Sequence, residues 1–387
     1  IELLKKLGYT HIKGCQVEQT VRTEPLILEE VLLERLHALN PWLAEVSGAA
    51  SRAMKQLRDI WFENNSDLML ANHAFWENVL FQSNLQEKDK EGRKRSVRFI
   101  DQSGAAHNRF HVVNQYVGKN SNAAPFKPDL LLFINGIPLA LIECKASNVK
   151  LSKGIAQIDG YQNSFPHHFA FNMVCGAINR SQAKYGALYA PEQFYLKWKF
   201  DPKRPDEHVI LNEIKALLGK EPTAQDTLLW ALFEPSRFVR FVCFYPLFEV
   251  EDGQMIKKLP RYQQWRAGEK SLLRLQGNDP ALPGKTQGGV IWHTQGSGKS
   301  LTMALLARLM RAEISNFENP SILVLTDRTD LDRQIHNTLT NVGLRASKAD
   351  SVAGLGAMVS NAYGAIVRST GQKFQEGGGK RFQAGIG

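Results

Sequence analysis

Asp129, Glu143 and Lys145 are the residues whose types and spacing most directly suggest chemistry. They stand at the two ends of KPDLLLFINGIPLALIECK (127–145), whose interior is an Asn135-Gly136 turn and otherwise almost wholly apolar side chains. Phosphodiester hydrolysis needs a divalent cation to polarise the phosphate and to lower the pKa of an attacking water. A hard ion such as Mg²⁺ prefers carboxylate oxygens. Asp129 and Glu143 supply these, with the main-chain carbonyl of Cys144 as a third donor. Lys145 can then orient the water or stabilise developing charge. On a strand, residues 143 and 145 share one face while Cys144 points to the other. The acid and the lysine therefore stand side by side.

The register of this hairpin holds a conflict. A two-residue Asn135-Gly136 turn pairs Ile134 with Ile137 and hence Asp129 with Ile142, which turns Asp129 away from Glu143. A one-residue bulge near Pro138, which cannot donate a ladder hydrogen bond, restores the facing pair. The sequence thus predicts a bulge or an equivalent distortion there.

A second site is legible at GSGKS (296–300), between the apolar run GVIW and the helical LTMALLARLM. Strand, loop and helix in that order are what a Walker A phosphate loop requires. Small residues let backbone N–H groups wrap the phosphates, and the helix N-terminus adds its positive dipole end. Gly296, Ser297 and Gly298 form the loop, Lys299 reaches the β- and γ-phosphates of ATP, and the Ser300 hydroxyl sits on Mg²⁺. The strict pattern places glycine at 293, where this chain has His293.

The surrounding elements are read from periodicity and punctuation. LILEEVLLERLHAL (26–39) predicts an amphipathic helix stopped by Asn40-Pro41, and a second helix covers about 49–62. QEKDKEGRKR (86–95) is a charge run expected in a loop or hairpin tip, and 97–117 alternates as strands do. A helix is expected from near Lys153, a strand at 171–178 and a surface loop at 201–208. A composition shift at 251–262 marks a domain boundary, and the strand-helix alternation beyond it implies a parallel α/β domain. The glycine-rich tail at 374–387 looks unfinished.

Composition sets the class. Its 387 residues suggest roughly two or three domains. No unbroken apolar run approaches the ~18 residues of a membrane span, and with no signal-like start a cytoplasmic location is expected. A start at Ile1 points to a trimmed end. The four scattered cysteines form no C-x-x-C pair, which argues against a zinc site or a disulfide framework. A formal net charge of +10 and a pI near 9.3 point to an anionic partner, nucleic acid first.

Several stretches carry a family resemblance. Pro128-Asp129, Glu143-x-Lys145 and, on the following helix, Gln157 and Tyr161 resemble the PD-(D/E)xK site and Q-x-x-x-Y element of RecB-family nucleases. In that family the glutamine and tyrosine lie near the DNA backbone and the active site. Glu30 and Glu34 are candidates for an extra acid from the leading helix. VLTDRTDLDRQ (324–334) resembles motif Ia of superfamily 2 helicases, making Thr326 and Arg328 candidate DNA contacts. RYQQW (261–265) resembles the Q motif, in which Gln264 would read the adenine edge. An acidic motif II is not seen after the loop. Asp206-Glu207-His208 precedes it and is read as a coincidence in a loop.

A RecB-like nuclease followed by a superfamily 2 motor resembles the R (restriction, HsdR-type) subunit of type I restriction enzymes. LGYTHIKG, ERLHALNP, FHVVNQYVG, WHTQGSGKSLTM and STGQKF (369–374) share that resemblance outside the catalytic residues. It implies an α/β chain with a PD-(D/E)xK endonuclease domain over 1–255, its core about 26–180. An incomplete first RecA-like ATP-binding domain follows over 256–387. It implies Mg²⁺ and ATP as cofactors, double-stranded DNA as substrate, and methyltransferase and specificity subunits as partners. Translocation and double-strand cleavage belong to the full complex, and ATP hydrolysis by this stretch alone is expected to be negligible. Two other readings stay open at this point: a DNA-repair helicase-nuclease, and a non-catalytic nucleic-acid-binding or ATP-sensing remnant.

Overall fold

A computed structural model describes residues 1–17, 24–118, 125–200, 203–279, 284, 288–313, 320–349, 351–360 and 363–371. The tail at 374–387, and the last three residues of STGQKF, lie outside the described residues. The chain divides into two compact units, 1–246 with 257–261 and 247–256 with 262–387.

The first unit is built on a six-stranded sheet whose spatial order follows the chain: β1 (Thr10–Lys13), β2 (Phe110–Asn114), β3 (Leu130–Ile134), β4 (Ile137–Cys144), β5 (Val174–Ile178) and β6 (Ala183–Gly186). β1 and β2 are parallel, β2–β3 and β3–β4 antiparallel, β4–β5 parallel and β5–β6 antiparallel. The parallel β4–β5 pair requires a crossover, which the helix Leu151–Ser164 supplies. β3 is buried along its whole length and β4 as far as Glu143. Strands covered on both faces read as continuous apolar runs rather than alternation, which explains the composition of LLLFI and IPLALI.

The turn between β3 and β4 has φ of 52° at Asn135 and 82° at Gly136, the left-handed pair a two-residue hairpin needs. Asn135 is tied down by its side chain, which donates to the Phe99 carbonyl (2.9 Å) and accepts from the Arg109 amide (2.7 Å). At Gly136 a Cβ would lie 2.5 Å from the Leu28 carbonyl oxygen, so only glycine fits. The ladder then slips by one residue. Phe133 pairs with Pro138 but Leu132 pairs with Ala140, leaving Leu139 as the extra residue. The expected bulge is present, and beyond it Leu130 pairs with Ile142, which sets Asp129 opposite Glu143.

Helices Glu29–Leu39 and Ala49–Glu63 form where the periodicity placed them. The first starts three residues late because the Leu28 amide is bonded to the Gly136 carbonyl (2.9 Å), holding the preceding segment extended. Within 97–117 only Phe110–Asn114 is a strand of the sheet. Val97, Phe99 and Ile100 are buried without joining it, so their apolar character reflects packing, not pairing. Likewise Phe171 and Met173 are buried ahead of β5. The loop expected at 201–208 gives way at Pro205 to the helix Pro205–Leu218. Proline at the first helical position is pre-organised for a helix start, so Glu207 and His208 are helical.

A ribbon of Leu247–Glu251 and Gln254–Lys258 follows in the chain. The second unit has a parallel three-stranded sheet of β7 (Ile322–Thr326), β8 (Ala346–Lys348) and β9 (Ile366–Thr370), with β9 central. Its helices include Tyr262–Leu275, Lys299–Glu313, Thr329–Asn341 and Val352–Ser360. The strand expected at GVIW is absent: these residues are irregular, with Val290 91% and Trp292 87% exposed. An apolar run becomes a strand only when a neighbour offers ladder partners, and among the described residues none pairs with it.

Candidate functional site

The bulge at Leu139 and the end of β4 bring the hairpin acids together. The Asp129 carboxylate accepts the Cys144 amide at 2.8 Å, which fixes it against the Glu143 carboxyl group. Glu143 is 0% exposed. Its Oε2 accepts from Lys145 Nζ at 3.1 Å, whereas its Oε1 is buried with no partner. Burial, followed by the adjacent Asp129 charge and the hydrogen bond a protonated Glu143 makes to Asp129, pushes the Glu143 carboxyl up to about 7 despite the nearby ammonium.

Lys145 is held from the crossover helix. Its Nζ donates to Gln157 Oε1 at 2.6 Å, Gln157 Nε2 bonds the Tyr161 hydroxyl at 2.8 Å, and that hydroxyl donates to the Lys127 carbonyl at 2.8 Å. The i, i+4 pair Gln157 and Tyr161 shares a helix face. It links the lysine at the end of β4 to the backbone two residues before Asp129. All five nuclease candidates thus form one connected cluster. The Lys127 carbonyl and the Cys144 amide could not be foreseen, because backbone groups leave no trace in residue type.

An unpartnered, buried carboxylate oxygen facing a second carboxylate suits a divalent cation. Asp129 and Glu143 would hold it, with the Cys144 carbonyl as the third oxygen. Among the described residues, no group of three or more His, Cys, Asp or Glu side chains converges on such a site. Glu30 and Glu34 are exposed, and Glu34 lies 3.4 Å from the Arg35 guanidinium.

The raised Glu143 pKa has a measurable sign. A group titrating higher in the folded protein stabilises the fold at low pH and loses that contribution as pH rises. Stability of the metal-free protein should therefore be highest below pH 4.5 as far as this group is concerned. It should fall by up to about 3 kcal/mol as pH rises through about 7. Glu143→Gln should flatten that part of the profile in urea unfolding. An unchanged slope between pH 5 and 8 would count against a carboxylate strained by Asp129.

In the second unit the glycine-containing loop at 296–298 runs into the helix Lys299–Glu313. Gly296 and Gly298 adopt φ of 73° and 83°, a conformation that favours glycine. Lys299 Nζ folds back onto the Thr294 carbonyl at 3.1 Å, and Ser297 Oγ donates to the same carbonyl at 2.6 Å. Ser300 Oγ stands 3.5 Å from Gln334 Nε2. Gln264 is buried and donates Nε2 to the Gly298 carbonyl at 3.1 Å, so the structure joins it to the loop. A Cβ at Gly298 would come within 2.6 Å of that nitrogen.

Thr326 and Arg328 are not equivalent. Thr326 is buried, its hydroxyl 3.5 Å from the Ser369 carbonyl, whereas Arg328 is exposed and 3.2 Å from Asp327. Asp330 and Asp332 lie in the first turn of Thr329–Asn341, and buried Asp332 pairs with Arg368 of β9.

Residues 1–194 match the family described as type I restriction enzyme R protein N terminus, and residues 263–384 match the SWI2/SNF2 ATPase family. Over 394 aligned residues the chain is 27% identical to a protein of Methanocaldococcus jannaschii that carries the designation type I restriction enzyme MjaIXP endonuclease subunit. That alignment covers 97% of this chain and 36% of the relative. It is 28% identical over 338 residues to the type I restriction enzyme HindI endonuclease subunit of Haemophilus influenzae, covering 82% of this chain and 29% of the relative. The chain spans about a third of the length of these relatives. No described helix is long and apolar enough to cross a membrane.

Proposed function

The chain belongs to the family of type I restriction enzyme R proteins, and from that premise we propose that its first unit is a metal-dependent DNA endonuclease and its second an ATP-binding motor domain. The observation that carries the nuclease assignment is the buried Glu143 carboxyl, one oxygen of which bonds Lys145 while the other has no donor facing it, with the Asp129 carboxyl alongside. A divalent cation, Mg²⁺ by preference, would supply the charge that polarises a phosphodiester. Asp129 and Glu143 hold that position, and Asp129 is itself oriented by the Cys144 amide. Lys145 presents an ammonium group beside them, where it offsets charge building on a phosphate oxygen. Gln157 keeps Lys145 from swinging into solvent, and Tyr161 ties the helix to the Lys127 backbone.

ATP would be held by residues 296–300 with Gln264 against the loop, and DNA would pass near Arg328. The domain division at 255/256, the cytoplasmic location and the assembly with methyltransferase and specificity subunits complete the proposal. Together they describe an R subunit that cuts both strands during ATP-driven translocation.

The test is cleavage of circular DNA in Mg²⁺ and ATP by the assembled complex carrying either wild-type chain or Lys145→Ala. Removing a preorganised charge from an active site costs about 10²- to 10³-fold in rate, so nicking and linearisation should fall to that extent. Equal cleavage by both complexes would exclude this site.

A further inference from the structure

The hairpin of Gln86–Lys88 and Lys94–Ser96 uses nearly all of its charges internally, with two exceptions. Glu87 is buried against the helix Ala49–Glu63, accepting from Arg52 (3.1 Å) and Gln56 (2.6 Å). Asp89 closes the turn, its carboxylate accepting the Glu91 and Arg93 amides at 3.0 and 2.9 Å. Arg93 pairs with Glu91 at 3.1 Å, Lys90 pairs with Glu45 at 2.9 Å, and the Arg95 guanidinium lies 5.0 Å over the Trp42 ring. Lys88 and Lys94 remain. They are direct cross-strand partners, both exposed, and neither makes an ion pair among the described residues.

Like charges placed directly opposite on a two-stranded ribbon are destabilising. The fold holds this pair on the outward face, with only Gln86 and Ser96 alternating onto the same side. The acids of the hairpin, Glu87, Asp89 and Glu91, are engaged elsewhere, so an anion from outside would relieve the repulsion.

The geometry points to this hairpin as a contact for the sugar-phosphate backbone of duplex DNA. This extends the nuclease reading and rests on it for the identity of the anion. From Ser96 the chain runs into Phe99, whose carbonyl accepts Asn135 at the turn of the β3–β4 hairpin. The acids lie at the opposite end of those strands. Glu143 lies seven positions beyond Gly136, about 23 Å along the strand. A two-stranded ribbon is narrow enough to lie along a major groove, with the lysines reaching phosphates and reading no sequence.

The test is the salt dependence of binding of a non-specific duplex by the intact protein without divalent metal, comparing wild type, Lys88→Gln/Lys94→Gln and Lys88→Arg/Lys94→Arg. Each phosphate contact contributes about 0.9 to the slope of log K against log salt. The glutamine variant should therefore lose about two in slope, and raising salt from 50 to 200 mM should weaken it about tenfold less than wild type. The arginine variant should keep the wild-type slope, and the glutamine variant should melt no lower than wild type. An unchanged slope overturns the proposal. So does an unchanged slope accompanied by lost assembly with other subunits, which would assign the hairpin to a protein partner. Binding is read without cleavage, so a failure of the Glu143 site would leave this result intact.

Discussion

Glu143→Gln in the assembled complex should reduce DNA cleavage by about 10³-fold or more, the several kcal/mol that a bound divalent ion contributes. Glutamine keeps the size of the side chain and one carbonyl oxygen, so the fold should survive. It removes the charge that faces Asp129 and the oxygen left without a partner. The loss should therefore come from chemistry, not from unfolding. ATP turnover by the same complex should stay at the wild-type level, because no residue of the phosphate loop is altered. A cleavage loss matched by an equal loss of ATP turnover would point to a damaged complex instead.

Lys299→Ala should have the complementary effect. The loop at 296–298 places two left-handed glycines directly ahead of the helix Lys299–Glu313. The Lys299 ammonium donates to the Thr294 carbonyl at 3.1 Å. Binding a polyphosphate exchanges that neutral contact for charged oxygens, which is a stronger bond. Alanine removes the charge-stabilising group, and ATP turnover in the full assembly should fall by about 10²-fold or more. Cleavage that depends on translocation should fall with it, while metal-dependent binding at the Asp129–Glu143 pair is unchanged. ATP turnover near wild type in Lys299→Ala would remove the loop from the account.

The hairpin illustrates how far residue pattern can carry a structure. Asn135-Gly136 and Pro138 are local signals, and together they forced the bulge that aligns the acids, because a period of two leaves no other way to face them. The Gln157–Tyr161 face was legible from its i, i+4 spacing. Its partner was not: the glutamine turns inward to Lys145, a contact made across the crossover from β4 to the helix. Among the described residues the apolar run at GVIW has no ladder partner, a condition set by distant chain that no local window contains. Val97, Phe99 and Phe171 show the same limit, since burial against helices and burial in a sheet select the same residue types. The polar, proline-containing stretch 201–208 suggests a surface loop, yet at a first helical turn the fixed φ of Pro205 starts a helix.

The central claim is that Asp129 and Glu143 form one divalent-cation site. Mn²⁺ binding to the intact protein, followed by electron paramagnetic resonance without nucleotide at pH 8, tests it most directly. Wild type should bind one Mn²⁺ that Glu143→Gln does not. The wild-type affinity should weaken as pH falls below about 7, where Glu143 takes up its proton. Equal Mn²⁺ binding by wild type and Glu143→Gln would contradict the account.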